Sequence, residues 1–410
     1  MARVVNALEI SSTAIKLVVG YECEQELIVI HASKKNLDEN IIVDNVINDA
    51  DVVCKTIKEL ITETEATLNT TINDVSLVLP SRGLDIFKNV GSTNVVSLNK
   101  TIAEIDIRNA MTMLLRFEYG DANNEIEVID VIPITYKLDQ ERSFSNPPLN
   151  ETSASLELTA FIHTMPRYIK ETYEGLVERV GIKVSNILVG SYGISQLLTT
   201  YRNMPKKYIL IDVGGKTTIA TIISGGKPYK SIYFDKGGEN LTQELMYRLG
   251  ITYKNADELK CKYGMDNFVC EYAPIVCHSE QNPEVKFTIK DLRLIIEDFL
   301  VNYVKDINRA LKTMVGDSAE LEQWPLVFVG GGTALIGFKE FVESKFASRN
   351  VIFPTIKSLG ARNPSFIAAL GALKINSSVR INEVKEEQKP MSLTRDKHKT
   401  QKYSEVEDNL

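Results

Sequence analysis

Two short stretches of this 410-residue chain combine a carboxylate, small residues and a lysine at a spacing that suits an anion. The first is Glu9-Ile10-Ser11-Ser12-Thr13, followed by Lys16. The second is Asp212-Val213-Gly214-Gly215-Lys216-Thr217. A tight turn between two strands points successive backbone N–H groups into one concave nest, and such nests bind phosphates. Ser11, Ser12 and Thr13 add hydroxyl donors, while Gly214 and Gly215 allow close backbone approach because no Cβ intervenes. Glu9 and Asp212 each precede a turn. Mg²⁺ takes oxygen ligands and keeps most of its waters, so this pair suits it through water. Lys16 can reach a β- or γ-phosphate if the hairpin register puts it on the face of Glu9. A third stretch, Val327-Phe328-Val329-Gly330-Gly331-Gly332-Thr333, is a buried strand entering a glycine turn. A helix opening at Leu335 would offer its N-terminus to a nucleoside or α-phosphate. Taken singly, each hairpin also reads as an ordinary turn.

Other chemistries fit less well. Gly215-Lys216-Thr217 imitates the end of a Walker A loop, but Leu210 stands where that loop needs glycine, and a strand follows instead of a helix. The five cysteines form no CxxC pair, and Cys270, Cys277 and His278 read as a structural group, not as zinc ligands. Scattered thiols fit a reducing compartment. The net charge of −7 and dispersed basic residues argue against nucleic acid. Val4-Val5 runs straight into a strand pattern, so no signal peptide is expected, and no run of about 18 apolar residues suggests a membrane span.

The elements that must position these residues repeat. Strand, turn, strand, turn, strand is expected over 4–32 and again over 208–235. A helix over 50–68 follows the first set, capped by Asp49 or Asp51, and then a strand over 75–79. Residues 81–165 read as a small α+β insertion. It has strands at 83–90, 94–98, 125–138 and 153–163, and a helix over 101–119 that Thr101 and Glu104 would cap as a box. Pro133 marks an edge or a bulge in its strand. Helices over 167–180 and 190–201 flank a strand at 183–189; further helices are expected at 237–249, 255–263, 288–315, 335–346 and 364–374. Residues 376–410 lack a helical apolar face and read as disordered.

Glu9-Ile10-Ser11-Ser12, Asp212 to Thr217 and Gly330-Gly331-Gly332 resemble the phosphate and adenosine motifs of the actin, Hsp70 and sugar-kinase superfamily. Within it the chain is similar to the FtsA family over roughly residues 4–375. Val131 to Asp139 resembles a strand of that family's 1C insertion; Phe234 to Thr242, Asn255 to Gly264 and Pro364 to Gly371 resemble three further segments.

The resemblance implies an α/β, actin-like (ribonuclease-H-like) two-domain fold carrying a 1C insertion. Its parts would be 1A at 1–80 and 166–201, 1C at 81–165, 2A at 202–235 and, with the chain's return to 1A, 318–375, 2B at 236–317, and a tail at 376–410. It implies ATP and Mg²⁺ as cofactors. Glu9, Ser11, Ser12, Thr13, Lys16, Asp212, Gly214, Gly215, Lys216 and Thr217 would hold phosphates and metal; Gly238, Asp257, Lys260, Gly330, Gly331, Gly332 and Thr333 would hold the nucleoside. Residue spacing alone reads Asp257 and Lys260 as an i,i+3 ion pair on an exposed helix.

Two departures stand out. Ser11 and Lys216 replace glycines of the family loops, and Val189-Gly190-Ser191 offers no Gln or Glu to position a water, so ATP turnover is expected to be slow or lost. The implied function is an ATP-binding division scaffold. It would polymerise, link the FtsZ ring to the cytoplasmic face of the membrane through 2B, and meet other division proteins. A membrane surface is an implied partner, although 376–410 shows no amphipathic anchor. The alternatives are a related pilus-assembly adaptor and a small-molecule kinase using Asp85, Asp106 or Asp130 as base.

Overall fold

The computed structural model describes residues 4–24, 26–116, 125–139, 141–266, 268–277, 284–316 and 323–377. The tail expected to be disordered lies almost wholly outside the described residues, as does His278.

The first sheet begins with β1 (Val5–Ile10), β2 (Ala14–Cys23) and β3 (Glu26–Asn36). Every residue of β2 from Ala14 to Gly20 is buried, as expected of a strand covered on both faces. In β3, at the sheet edge, more and less exposed residues largely alternate. A two-residue turn with Asp44 and Asn45 at positive φ joins β4 (Ile42–Val43) to β5 (Val46–Ile47). Asp49, not Asp51, caps α1 (Ala50–Leu68), its side chain accepting from the Val52 N–H at 3.0 Å. Then β6 (Asp74–Leu79) runs parallel to β1.

The insertion holds β7 (Asp85–Asn94), α2 (Glu104–Leu114), β8 (Ile126–Leu138), β9 (Arg142–Phe144) and β10 (Ser155–Pro166), in sheet order β7-β10-β8-β9. Here β7 is one strand where two were expected. The Thr101 box does not form: Thr101 bridges Thr152, and Asp106 accepts from the Ala103 N–H instead. Pro133 sits beside a register shift opposite Thr159 and Ala160, the irregularity its missing N–H requires. The chain returns through α3 (Arg167–Arg179), β11 (Lys183–Val189) and α4 (Gly190–Leu198).

The second sheet repeats the plan of the first. It contains β12 (Lys207–Val213), β13 (Thr218–Ser224) and β14 (Lys227–Phe234). After α5 (Gly238–Leu249), α6 (Tyr253–Tyr263), β15 (Pro274–Cys277), β16 (Val285–Thr288) and α7 (Ile289–Val315) comes β17 (Leu326–Val329), parallel to β12. The chain then forms α8 (Phe338–Lys345), β18 (Val351–Ile352) and α9 (Ile367–Ser377). The orders β3-β2-β1-β6-β11 and β14-β13-β12-β17-β18 are the same: an antiparallel meander of three strands, then two parallel strands.

The pair α4 and α9 shares one core with both sheets. Ala7 and Val18 of the first sheet, Leu210 and Val329 of the second, and Ile194 and Leu370 of the helices belong to it. The two helices approach closely because Gly193 meets Gly371: a Cβ on Gly371 would lie 2.2 Å from the Gly193 carbonyl carbon. The outer face of the second sheet packs on α5, α6 and α7 through Leu245, Leu259 and Ile296.

Candidate functional site

The duplicated sheets bring their first turns to one cleft of about 1190 Å³. Glu9 and Lys16 are direct cross-strand partners, which answers the register question: both leave the same face of β1–β2. The Lys16 ammonium donates to Glu9 Oε1 at 2.6 Å, and both side chains are nearly buried. The second oxygen, Oε2, is buried without a hydrogen-bond partner. Asp212, one residue before the end of β12, lines the same cleft. Burial, and then the Glu9 carboxylate, push its carboxyl up to about 6, with Lys16 acting in the other direction.

The two turns touch. A Cβ on Gly215 would lie 2.3 Å from Thr13 Cγ2, so only glycine permits this approach. Within the turns, Ser11 donates from its N–H and its hydroxyl to the Ala14 carbonyl at 3.0 and 2.8 Å, and the Gly214 N–H donates to Thr217 O at 3.0 Å. The start of α5 braces the second turn, with the Gly238 N–H donating to Gly214 O at 3.1 Å and the Glu239 N–H to Gly215 O at 2.8 Å.

The third glycine stretch closes over Asp212. Gly330, at φ +89°, lies against that carboxyl: a Cβ there would sit 2.2 Å from Asp212 Oδ1. The helix expected at Leu335 does not start there. A single 3-10 turn covers Gly331–Ala334, and Gly337, at φ +78°, delays α8 to Phe338. The nucleoside would therefore meet a short turn and not a long helix's N-terminus.

Sixteen of the seventeen sequence-predicted residues line the cleft: Glu9, Ser11, Ser12, Thr13, Lys16, Asp212, Gly214, Gly215, Lys216, Thr217, Gly238, Asp257, Lys260, Gly330, Gly331 and Gly332. Thr333 is not in the lining; its hydroxyl donates to Gly330 O at 2.8 Å and fixes the turn. Asp257 and Lys260 do form the i,i+3 ion pair, at 2.6 Å, but Lys260 also donates to Gly238 O at 3.2 Å and so is turned toward the site. Lys216 points across the cleft. Its ammonium donates to Ile42 O at 2.9 Å and to Glu39 O, which fastens the second turn to the β3–β4 connection. Beside it, Arg82 pairs with Asp44 and with Asp235, both at 3.0 Å, and lies over the Tyr233 ring.

Sequence reasoning missed several lining residues. Tyr253 donates its hydroxyl to Glu239, and Phe299, Leu300 and Tyr303 of α7 also line the cleft. Their spacing is that of any amphipathic helix, so nothing local marked them. Lys34 was also missed, although the alternation of β3 assigns Lys34 and Lys35 to opposite faces. At the strand-to-helix step, Gly190 lines the cleft and the Ser191 N–H donates to Ser81 Oγ at 2.9 Å. Asp85, Asp106 and Asp130 do not line the cleft.

These residues fit a metal-bound polyphosphate. The unpartnered Glu9 oxygen and the raised Asp212 carboxyl are both groups that a divalent cation, reached through water, would satisfy. Among the described residues no group of three or more His, Cys, Asp or Glu is placed to hold a metal ion.

Comparison with known proteins agrees with the fold. A family model described as Cell division protein FtsA matches residues 209–371. Cell division protein FtsA of Streptococcus pneumoniae is 26% identical over 365 residues, 88% of this chain and 77% of that protein. FtsA of Enterococcus faecalis is 23% identical over 385 residues, 92% of this chain and 84% of that protein. Among solved structures, the PilM-PilN type IV pilus biogenesis complex aligns at TM-score 0.60 and 16% identity, covering 91% of this chain and 98% of that one. MreB5 of Spiroplasma citri bound to ADP aligns at 0.51 and 13% identity, covering 94% and 99%. The fold is actin-like.

Proposed function

As this chain is a relative of the FtsA proteins, we propose that it is an actin-like cell-division protein that binds ATP with Mg²⁺ between its two turns. The observation that carries the reading is the meeting of Glu9, Lys16 and Asp212 in one cleft, with the two turns in contact beside them. The nucleotide phosphates would lie against the turns 11–13 and 214–217. They would take the N–H groups of 12–13 and 215–217 with the hydroxyls of Ser12 and Thr13, the Ser11 and Gly214 donors being used within the turns. Glu9 and Asp212 would hold the waters of Mg²⁺, and Gly238, Asp257, Lys260 and 330–332 would take the nucleoside. The bound cation would neutralise phosphate charge. No Gln or Glu stands at Val189-Gly190-Ser191 to orient a water, so binding is expected to exceed turnover.

On this reading, residues 236–317 dock the FtsZ ring, residues 81–165 serve self-association and other division partners, and the protein works at the division site on the inner face of the membrane. Residues 1–80 with 166–201, and 202–235 with 318–375, would be the two subdomains whose turns meet at the cleft, with 236–317 adding the nucleoside side. No described helix is long and apolar enough to cross a membrane. The small-molecule kinase is disfavoured, because none of its three candidate bases reaches the cleft.

The test is thermal. Mg–ATP should raise the melting temperature of the intact chain, and Asp212→Ala should remove most of the rise. No shift in the unaltered protein would refute the nucleotide reading. ATP-dependent sedimentation with purified FtsZ then examines the scaffold role.

A further inference from the structure

Among the described residues, six cationic side chains line the cleft: Lys16, Lys34, Arg82, Lys216, Lys254 and Lys260. Four are already engaged. Lys16 is held by Glu9 at 2.6 Å and Lys260 by Asp257 at 2.6 Å. Arg82 spans Asp44 and Asp235. Lys216 is spent on the carbonyls of Glu39 and Ile42. Three of these engaged residues, Lys16, Lys216 and Lys260, are the lysines that the sequence motifs single out. A phosphate chain entering the cleft would have to break existing bonds to gain their full charge.

Lys34 is different. It is the direct cross-strand partner of Lys16, so it stands next to the Glu9–Lys16 pair on the same sheet face. Its neighbour Lys35 leaves the opposite face of β3 and pairs with Glu59 and Glu63 of α1, at 2.9 and 2.6 Å. Lys34 thus has its own face of the strand and makes no ion pair there with any described residue. Lys254, on the first turn of α6, is not adjacent to the Glu9–Lys16 pair in any strand ladder.

We propose that Lys34 is the principal free cation for the nucleotide's phosphate chain, a specificity residue for a charged nucleoside di- or triphosphate. This rests on the nucleotide reading above and adds to it a residue outside its motifs. An ammonium beside a second ammonium is held in an unfavourable field, and an anion between them relieves it. Lys34 is exposed on its edge strand, but partial desolvation of its ammonium by the cleft, and then the Lys16 charge, lower it from its ordinary value, with Asp257, Cys261 and Glu9 opposing. The phosphates would bridge Lys34 and Lys16 across the two strands, while Lys216 keeps its place on the loop.

The experiment is calorimetric titration of the intact chain with Mg–ATP and Mg–ADP, comparing K34Q, K34E, K34R and K35Q. K34Q should weaken both ligands about tenfold, the scale of one charge-assisted hydrogen bond. K34E should weaken them further, K34R should retain most of the affinity, and K35Q should match the unaltered protein. Ligand-free melting temperatures of the Lys34 variants should not fall, and for K34Q and K34E any change should be a rise as the repulsion with Lys16 is removed, which separates lost contact from lost fold. Binding by K34Q equal to that of the unaltered protein, or loss shared equally by K35Q, overturns the assignment of Lys34 and leaves the nucleotide site standing. Failure of the unaltered chain to bind either nucleotide overturns both.

Discussion

The Lys16 ammonium lies 2.6 Å from one oxygen of Glu9, while the other oxygen of that carboxylate has no partner. The pair is nearly buried, so each charge depends on the other. Lys16→Met should therefore destabilise the ligand-free protein by about 3–5 kcal/mol, the usual result of leaving a buried charge unpaired. The double variant Lys16→Met with Glu9→Gln should recover much of that loss. Urea denaturation of the four proteins in the cycle measures it; an additive double variant would show that the two side chains act independently.

Asp212 predicts a pH dependence. Its folded-state value, about 6, lies above the ordinary 3.8. A carboxyl raised on folding favours the protonated form, so the ligand-free protein loses stability as pH climbs from near 4 through 6, and the loss is complete above. Its full size is on the order of 3 kcal/mol. Asp212→Asn removes the titration. The melting temperature of the variant minus that of the unaltered protein should be more positive at pH 7.5 than at pH 4.5. A difference independent of pH would contradict the role given to burial and Glu9.

The contact between the turns gives a coupling test. Gly215→Ala would drive a methyl group into Thr13 Cγ2, at 2.3 Å. The single variant should lose stability by about 1–3 kcal/mol, the usual cost of overpacking. Thr13→Ala removes the clashing methyl, so the double variant should recover a substantial part of the loss. Thermal denaturation of the set reads the coupling.

Lys216 makes a separate prediction, readable without nucleotide. Its ammonium holds the carbonyls of Glu39 and Ile42. Lys216→Met should speed amide hydrogen exchange in the segment around residues 38–48 by about tenfold, corresponding to roughly one hydrogen bond to a charged group. Exchange in α7 should be unaffected. Equal protection in both proteins would mean that the loop is held by its own backbone.

Much of the fold was readable in the sequence because its signals are local. Asp49 caps α1 through its own side chain, and the buried run of β2 announces a central strand. The duplicated strand-turn-strand pattern pointed to two equivalent sheets, and both formed with the same order. Where the reading slipped, a distant partner decided. Thr101 has the chemistry of a helix cap, but it pairs with Thr152 across the insertion, and Asp106 reaches back to cap α2. The Gly330-Gly331-Gly332 stretch looked like the mouth of a helix, but the positive φ of Gly337 postpones that helix. The residues of the two turns and the glycine stretch came from motifs of small and charged side chains, whereas Gly238, Asp257 and Lys260 came only from the family resemblance. Lys34 has no motif of its own, and its place beside Lys16 follows from strand register alone.

The crossing of α4 and α9 at Gly193 and Gly371 also governs the order in which the molecule can be completed. Val5, Ala7 and Val18 precede Leu370, Ala372 and Leu373 by about 350 residues in the chain, yet all six belong to the same core. Lys374 of α9 pairs with Glu22 of β2, joining the two extremes of the described chain. Until α9 has been made, the part of the first sheet that it covers lacks this partner and is open to misassociation.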